Sequence, residues 1–259
     1  PALHQARDGA SQRRRGRRRI VFLPVTETNR VPVDFQGAPV LVAEPTGPIL
    51  VEVGAFQAFS MPEEQAKVLG TLRDATFFAD HPEILKARHL VRNRRELRFD
   101  PRTGRELEYP APGVVGRDAH NEHRIVFPRL DPAVIGIIHL AGTDKILLAK
   151  NRMRNSFYSL IAGYVDAGEN LEEAFTREAL EETGMRVREV RYWGSQPWPP
   201  SGSLMVGFSA VTDDVRAVCD TDGELEETRW VSRAELPELT IARKGSIAHT
   251  MIMEWYHGE

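Results

Sequence analysis

The chain has 259 residues, of which 41% are hydrophobic and 27% charged. This composition excludes a disordered protein, and the length favours two domains over one. No apolar run approaches the roughly 20 residues of a membrane helix, and the arginine-rich start lacks the apolar segment of a secretory signal, so we expect a cytoplasmic protein with no membrane partner. The single cysteine, Cys219, excludes an intrachain disulfide and a cysteine-based zinc site.

The chain begins with a basic tail and continues into a predicted N-terminal domain. Six arginines lie between positions 13 and 19, so residues 1–19 predict a solvated tail despite a net charge of −3 for the whole chain. Residues 20–95 predict a small α/β domain, with β-rich runs at 20–25, 39–43 and 49–53. Helical patterns follow at 63–72 and 82–91, and the second opens with Pro82, which suits the first turn of a helix.

Residues 96–128 lose periodicity and predict a connector, and residues 129–259 predict a second, larger domain. Strands are expected at 133–140 and 145–150, paired across a turn at 141–144, and at 156–162, 187–193, 204–211 and 227–231. Helices are expected at 171–183 and 246–256. Strands that surround two helices favour an α/β/α sandwich on a mixed sheet, preceded by the smaller α/β domain.

The most informative segment, residues 163–185, is typical of a loop, a helix and a helix end. Asn170 can cap the helix, with Glu173 three residues later reaching back to form a capping box. Gly184 lies where a left-handed residue commonly ends a helix. We therefore expect a helix with defined ends over 171–183.

Three glutamates on this helix predict a metal site. Glu178, Glu181 and Glu182 lie three and four positions apart, where like charges are neighbours and repel. One such residue alone is usually part of a solvated acidic face, but three together require neutralisation. Carboxylate oxygens suit Mg²⁺ or Mn²⁺, and such ions bridge diphosphate oxygens and lower the pKa of an attacking water.

The same segment resembles the Nudix motif, in which glycine is followed at fixed spacing by Glu, Arg-Glu, Glu-Glu and glycine. Seven matches in one window arise by chance on the order of once in a hundred million windows at about 7% usage per residue type. The resemblance implies that the three glutamates hold the metal, that Glu181 or a neighbour activates water, and that Arg177 orients the carboxylates. Ala179 departs mildly, since the family prefers a larger aliphatic residue there. The matching residues are Gly163, Glu169, Arg177, Glu178, Glu181, Glu182 and Gly184.

A second segment, residues 195–205, is similar to the motif of the NADH pyrophosphatase (NudC-type) family of Nudix proteins. Its proline-rich sequence fixes the backbone, Trp198 offers a flat apolar face, and polar side chains supply hydrogen bonds. Pro200 and Ser201 replace the family's Phe-Pro, which alters the surface that would face the nucleotide. The resemblance implies substrate-binding roles for Gln196, Pro197, Trp198, Pro199 and Ser203.

Shorter stretches resemble the same family from residue 127 to the C-terminus. The resemblance implies that Phe127 stacks on a nucleobase and that Tyr164 supplies a second aromatic ring at the substrate. It implies that Ala248, on the final helix, lies against the substrate. It also implies Ala162 and Glu224 as further metal-binding positions.

Many members of this family carry a four-cysteine zinc ribbon between their domains, and this sequence departs from it. The corresponding stretches, residues 100–103 and 119–122, contain no cysteine. We therefore expect no structural zinc, with His120 and His123 as surface residues. The connector is predicted to be a degenerate ribbon.

By this resemblance the chain hydrolyses the pyrophosphate bond of NAD(H) to nicotinamide mononucleotide and AMP, removes NAD caps from RNA, and forms a homodimer. The basic tail could attract an RNA chain. One alternative is a Nudix hydrolase for another nucleoside diphosphate derivative, such as ADP-ribose, FAD or capped RNA. A second is a noncatalytic Nudix nucleotide sensor, against which the intact carboxylates argue.

Overall fold

A computed structural model describes residues 20–110, 114–154 and 156–258 of the protein. The basic tail expected at residues 1–19 lies outside these ranges. The described residues form fourteen strands and four α-helices. The strands are β1 (Val21–Thr26), β2 (Val31–Val33), β3 (Ile49–Val53), β4 (Phe56–Met61), β5 (Thr71–Arg73), β6 (Leu107–Glu108), β7 (Gly116–Asp118), β8 (Asn121–Val126), β9 (Asp131–Leu140), β10 (Ile146–Asn151), β11 (Ile161–Tyr164), β12 (Arg188–Trp198), β13 (Ser203–Thr212) and β14 (Leu225–Val231). The helices are α1 (Glu63–Leu69), α2 (Pro82–Glu96), α3 (Leu171–Thr183) and α4 (Ile247–His257).

The largest sheet is mixed and has β9 at its centre. Its order is β12-β13-β9-β10-β14, and β11 pairs with β9 as well. The β13–β9 pair is parallel, whereas β12–β13, β11–β9 and β10–β14 are antiparallel. Strand β12 lies at an edge, which is where a sheet tolerates Pro197 without an amide hydrogen.

Both faces of this sheet are covered, because successive side chains of a strand point to opposite sides. In β9, Ile135 and Ile137 pack in the apolar cluster that contains α4, whereas Val134 and Ile138 pack in the cluster that contains α3. The central strands are therefore apolar at nearly every position. The predicted α/β/α sandwich on a mixed sheet is confirmed.

Helix α3 has the ends that the sequence predicts. The Asn170 side chain accepts a hydrogen bond from the Glu173 backbone, and the Glu173 side chain accepts one from the Asn170 backbone. Gly184 ends the helix with a φ of 68°. The helix lies close to the sheet, since a Cβ on Gly136 would come 2.1 Å from the ring of Phe175.

The N-terminal region is richer in strands than predicted. A three-stranded sheet of order β1-β4-β3 and the β2–β5 pair form there, and the sequence patterns missed β2, β4 and β5. The strand expected at 39–43 is wrong, because that stretch makes only isolated bridges at Pro39 and Val42. The helix expected at 63–72 ends at Leu69. Gly70 lies so close to the Val33 backbone that a Cβ would meet its carbonyl oxygen at 2.2 Å.

Several other boundaries differ from the sequence patterns. Helix α2 runs to Glu96 instead of residue 91, and β12 continues through Trp198 instead of stopping at 193. The strand expected at 156–162 begins only at Ile161, after bridges at Tyr158 and Ser159. The proline-rich motif therefore starts inside a strand, and its turn comes afterwards, at residues 199–202.

The connector contains an ordered antiparallel sheet, β6-β7-β8, where the sequence predicted little regular structure. Asp100, whose side chain is fully buried, accepts hydrogen bonds from Arg124 at 2.6 and 3.0 Å and from the Arg102 backbone at 2.8 Å. A partly buried ion pair thus cross-links a small sheet that has no cysteine in its sequence.

Apolar cores lie on either side of this connector. In the described residues, two apolar clusters consist of residues up to Val114, and two consist of Val134 and later residues. Among the described helices, none combines the length and the hydropathy required to cross a bilayer.

Candidate functional site

The predicted metal site is organised by the contact between β11 and α3. Gly163 on β11 faces Glu178 on α3, and a Cβ built on Gly163 would lie 2.0 Å from the Glu178 carboxyl carbon. Only glycine leaves room for the carboxylate there. The strand backbone and the helix therefore hold Glu178, which is 13% exposed, in one place.

Arg177 links the acidic groups around this point. Its guanidinium donates to Glu169 at 2.7 and 3.0 Å, to Glu178 at 2.9 Å, to Glu181 at 2.9 Å and to the Tyr164 carbonyl at 3.0 Å. These bonds raise the pKa of Arg177 and lower the pKa of Glu169 to about 2, chiefly through the bond between the two. Arg177 thus orients three carboxylates at once, as charge-assisted hydrogen bonds allow.

Glu178 and Glu182 are carboxyls whose ionisation the protein opposes. Burial is the main cause for both, and it raises the pKa of Glu178 and raises that of Glu182 to about 8. The charges of Glu178, Glu224 and Asp222 add to the effect at Glu182. Glu182 is 5% exposed, and its Oε2 has no hydrogen-bond partner among the described residues. A buried oxygen without a partner, surrounded by negative charge, is a group that a cation would stabilise.

The remaining predicted metal positions lie around this pair. Ala162, next to Gly163, forms a backbone hydrogen bond with Glu182, and the exposed Glu224 is close enough to raise the pKa of both Glu178 and Glu182. Among the described residues, no three His, Cys, Asp or Glu side chains surround a single point closely enough to hold an ion as they stand. Two of the trio, Glu178 and Glu181, are bonded to Arg177 instead.

A cavity of about 520 Å³ lies next to β11, and no glutamate of α3 is among the described residues that line it. This volume lies within the range of small-molecule sites, about 300–1,000 Å³. The cavity reaches Gly163 and thus the Glu178 contact. Four of the residues predicted from the sequence line it, namely Ala162, Tyr164, Trp198 and Ala248.

The other predicted substrate residues do not line this cavity. Phe127 is 67% exposed and lies outside it, as do Pro197 and Pro199. Gln196 donates to the Gly245 carbonyl at 2.9 Å and accepts from the Ile247 amide at 2.7 Å, so both ends of its amide hold the start of α4.

Ser203 is buried beneath the cavity wall. Its hydroxyl forms hydrogen bonds with the Ser201 hydroxyl at 2.8 Å and with the Tyr164 hydroxyl at 3.4 Å. Ser203 thus contacts two residues that line the cavity.

The N-terminal region supplies a wall that the sequence did not reveal. Asp74, Ala75 and Thr76 line the cavity, and Asp74 pairs with Arg243, which precedes α4, at 3.0 Å. No motif distinguishes residues 74–76, so only their position in space identifies them. Residues 200, 201, 246 and 247 line it too.

Comparison with known proteins identifies the family of this chain. The model of the NUDIX domain matches residues 130–251. The NAD-capped RNA hydrolase NudC of Vibrio parahaemolyticus is 31% identical over 237 residues, which cover 78% of this chain and 85% of that protein. This chain belongs to the NudC family of Nudix proteins.

Other relatives match the Nudix part of this NudC-family chain. The NAD-capped RNA hydrolase NudC of Mycobacterium bovis is 48% identical over 111 residues, 42% of this chain, and the match spans only 35% of that relative. A crystal structure of a Nudix hydrolase from Nitrosomonas europaea is 23% identical with a TM-score of 0.48. The match covers 63% of this chain and 92% of the Nitrosomonas europaea chain.

Proposed function

We propose that this chain hydrolyses the diphosphate bond of NAD(H), giving nicotinamide mononucleotide and AMP, and that it removes NAD caps from RNA. One observation carries the proposal: a nucleotide-sized cavity has Tyr164 and Trp198 in its wall together with Gly163, which packs against the Glu178 carboxylate of α3. Aromatic faces bind bases, and clustered carboxylates are suited to diphosphate chemistry. The names of the relatives support the same substrate class.

The site residues fit a divalent cation, Mg²⁺ or Mn²⁺. The partnerless oxygen of Glu182 and the raised pKa of Glu178 and Glu182 support this assignment, since a cation beside them would stabilise their charged forms. We assign the binding of this ion to oxygens of Ala162, Glu178, Glu181, Glu182 and Glu224. When bound, the ion neutralises the charge on the bridging phosphates and makes a bound water more acidic.

The side chains of the site accept the proton and hold the carboxylates in position during hydrolysis. The oxygen of a water molecule forms a bond to one phosphorus, the bridging P–O bond breaks, and the second phosphate leaves with the electron pair. Glu181 is 50% exposed, the highest of the trio, and is therefore accessible to water, so we assign to it the acceptance of the proton. Arg177 keeps Glu178 and Glu181 in position.

We further propose that the active unit is a homodimer. Phe127 and Leu130 expose large apolar side chains just before β9, outside the cavity of their own chain. A second copy would bury these side chains and could bring Phe127 to a nucleobase. We also propose a division at residues 95 and 128 into an N-terminal domain, a connector and a Nudix domain. Separate apolar clusters before and after the connector support it, and Val114 of the connector packs against the first of them.

A second candidate substrate is another nucleoside diphosphate derivative, such as ADP-ribose, FAD or capped RNA. The observation that favours it is local. Pro200 and Ser201, which replace the Phe-Pro of the NADH pyrophosphatase motif, both line the cavity. A smaller and more polar wall there could accept a different group.

Product analysis on a dinucleotide panel tests the proposal. Purified chain is incubated with NADH, NAD⁺, ADP-ribose, FAD and NAD-capped RNA in Mn²⁺, and the products are separated by chromatography. We expect nicotinamide mononucleotide and AMP from NADH, no activity after EDTA treatment, and loss of several powers of ten in kcat for Glu178→Gln. Activity that persists in EDTA would exclude this chemistry, and a preference for ADP-ribose would select the second candidate.

A further inference from the structure

The turn that forms part of the cavity wall is held by a side chain from the N-terminal region. Asn29, between β1 and β2, is 7% exposed, and its Nδ2 donates to the Pro199 carbonyl at 3.1 Å. Asn29 has a φ of 59°, in the left-handed region, which Asn tolerates better than most residues. The two residues are 170 positions apart, so the bond joins distant parts of the chain.

Arg88 of α2 holds Asn29 in turn. Arg88 is 1% exposed, and its Nε donates to the Asn29 carbonyl at 2.8 Å, while Nη2 donates to the same oxygen. Burial lowers the pKa of Arg88 to about 10, so the group remains charged at neutral pH. Charge-assisted hydrogen bonds of this kind fix an acceptor firmly.

This arrangement is poorly suited to stabilising the fold alone. Asn29 Oδ1 and Arg88 Nη1 have no hydrogen-bond partner in the part of the chain that the structure describes. Buried polar atoms without partners cost stability, and apolar residues of similar size usually pack at lower cost. Buried polar groups of this kind are better suited to fixing one geometry than to adding stability.

The geometry in question is that of the turn at residues 199–202. The Pro199 carbonyl accepts from Asn29 and also from the Gly202 amide at 3.2 Å, and the Gly202 carbonyl accepts from the Asp131 amide at 3.0 Å. Trp198, Pro200 and Ser201, on either side of this carbonyl, line the cavity. A shift of Pro199 would therefore move the cavity wall.

We propose that Asn29 is a positioning residue for the substrate: acting through Pro199, it sets the distance between the Trp198–Ser201 wall and the opposite side of the cavity. The inference rests on the proposed function, since it concerns the same cavity. The Glu178 carboxylate is held by its contact with Gly163 of β11, and the turn bears on the cavity wall, so Asn29 should affect binding and leave the chemical step alone.

Two substitutions isolate this bond. Asn29→Gly keeps the left-handed backbone and the carbonyl that Arg88 binds, and it removes the side chain whose amide donates to Pro199. Asn29→Asp keeps the shape and removes the donor. The Asp74–Arg243 pair still joins the N-terminal region to the Nudix part in both variants. Glu189→Gly is the matched control, because Glu189 also has a positive φ, of 55°, but is exposed on β12.

The measurements are steady-state kinetics on NADH with Mn²⁺ and amide hydrogen exchange of the full chain. For both Asn29 variants we expect KM to rise about five- to twenty-fold, with kcat within about two-fold of wild type. We expect faster exchange in the peptide that contains the Ser201 and Gly202 amides. Glu189→Gly should match wild type in both measurements.

Three results would overturn the inference. They are an unchanged KM in Asn29→Gly, a wild-type KM in Asn29→Asp, which would indicate a packing role, and unchanged exchange at the turn. If the wild-type chain hydrolyses no dinucleotide, the proposed function fails by itself. The exchange comparison then decides alone whether Asn29 holds the turn, so the two failures are distinguishable.

Discussion

Gly163 and Glu178 leave no space between them: a Cβ added at position 163 would lie 2.0 Å from the carboxyl carbon and 2.0 Å from Oε1 of Glu178. The carboxylate is the end of a flexible side chain, so Gly163→Ala should displace it without unfolding β11. We expect kcat to fall at least about ten-fold, because metal ligands tolerate little displacement. Steady-state kinetics, with a thermal unfolding midpoint close to wild type, measure this effect.

Gly194→Ala is the control for this substitution. Gly194 also lies in a strand of the same sheet, but a Cβ there would meet nothing within 4 Å. The control should retain wild-type activity. If Gly163→Ala is equally active, the close contact has no role in placing the carboxylate.

The raised pKa of Glu182 predicts a pH-dependent stability of the metal-free protein. The folded protein raises the pKa of Glu182 to about 8, against 4.5 for an unperturbed glutamate, so the folded chain binds the proton more tightly than the unfolded chain does. The stabilisation is complete below about pH 4.5 and is lost as the pH rises towards 8. In EDTA, the thermal unfolding midpoint should decrease as the pH is raised from 5 to 8.

Glu182→Gln removes this ionisation and should flatten that part of the pH profile. At pH 8 the metal-free variant should unfold at a higher temperature than wild type, although it should be inactive. Glu226→Gln, an exposed position on β14, serves as the control and should follow the wild-type profile. Identical slopes in wild type and Glu182→Gln would show that Glu182 ionises freely.

Local signals in the sequence were sufficient to predict α3 and the two-sided sheet. The ends of α3 depend on Asn170 and Glu173 at its start and on Gly184 at its end, and each of these residues acts on the helical turn next to it. The strands β9 and β10 are apolar at consecutive positions because both of their faces are covered, so their burial is readable from the sequence alone. The spacing of the acidic residues on α3 also identified the family.

Contacts between distant segments were not predictable in this way. Asp74, Ala75 and Thr76 reach the cavity only through the packing of the N-terminal region, and their own sequence is unremarkable for a turn. The helix expected at 63–72 has a suitable local pattern, but pairing between β2 and β5 ends it at Leu69. Tertiary contacts override local propensity at such positions.

The Asp100–Arg124 pair predicts how the connector is stabilised. The bond from Arg124 is the main cause that holds the pKa of Asp100 well below its usual range. The resulting stability is present above the unfolded pKa near 4 and is lost as the pH falls through the lower folded value. Asp100→Asn should lower the unfolding midpoint at pH 7, and the difference from wild type should shrink below about pH 4.

A nearby pair provides the comparison for this effect. Arg98 and Glu106 are both exposed and lie 3.5 Å apart, so Glu106→Gln should change the midpoint little. Circular dichroism melts at pH 3, 5 and 7 measure both variants. Equal midpoints for Asp100→Asn and wild type at pH 7 would show that the ion pair does not stabilise the connector.

Phe127 tests the proposed dimer and the proposed base contact together. Its side chain is 67% exposed and lies outside the cavity, so Phe127→Ala should leave the stability of the single chain unchanged. If a second copy brings Phe127 onto a base, the substitution should weaken dinucleotide binding by roughly 1–3 kcal/mol, the value of base–aromatic stacking. Phe99→Ala, at a 52% exposed side chain in the connector, is the control. KM is measured over a dilution series, because a site that a partner completes loses activity as the chains separate. A Phe127→Ala variant with wild-type KM would show that Phe127 does not contact the substrate.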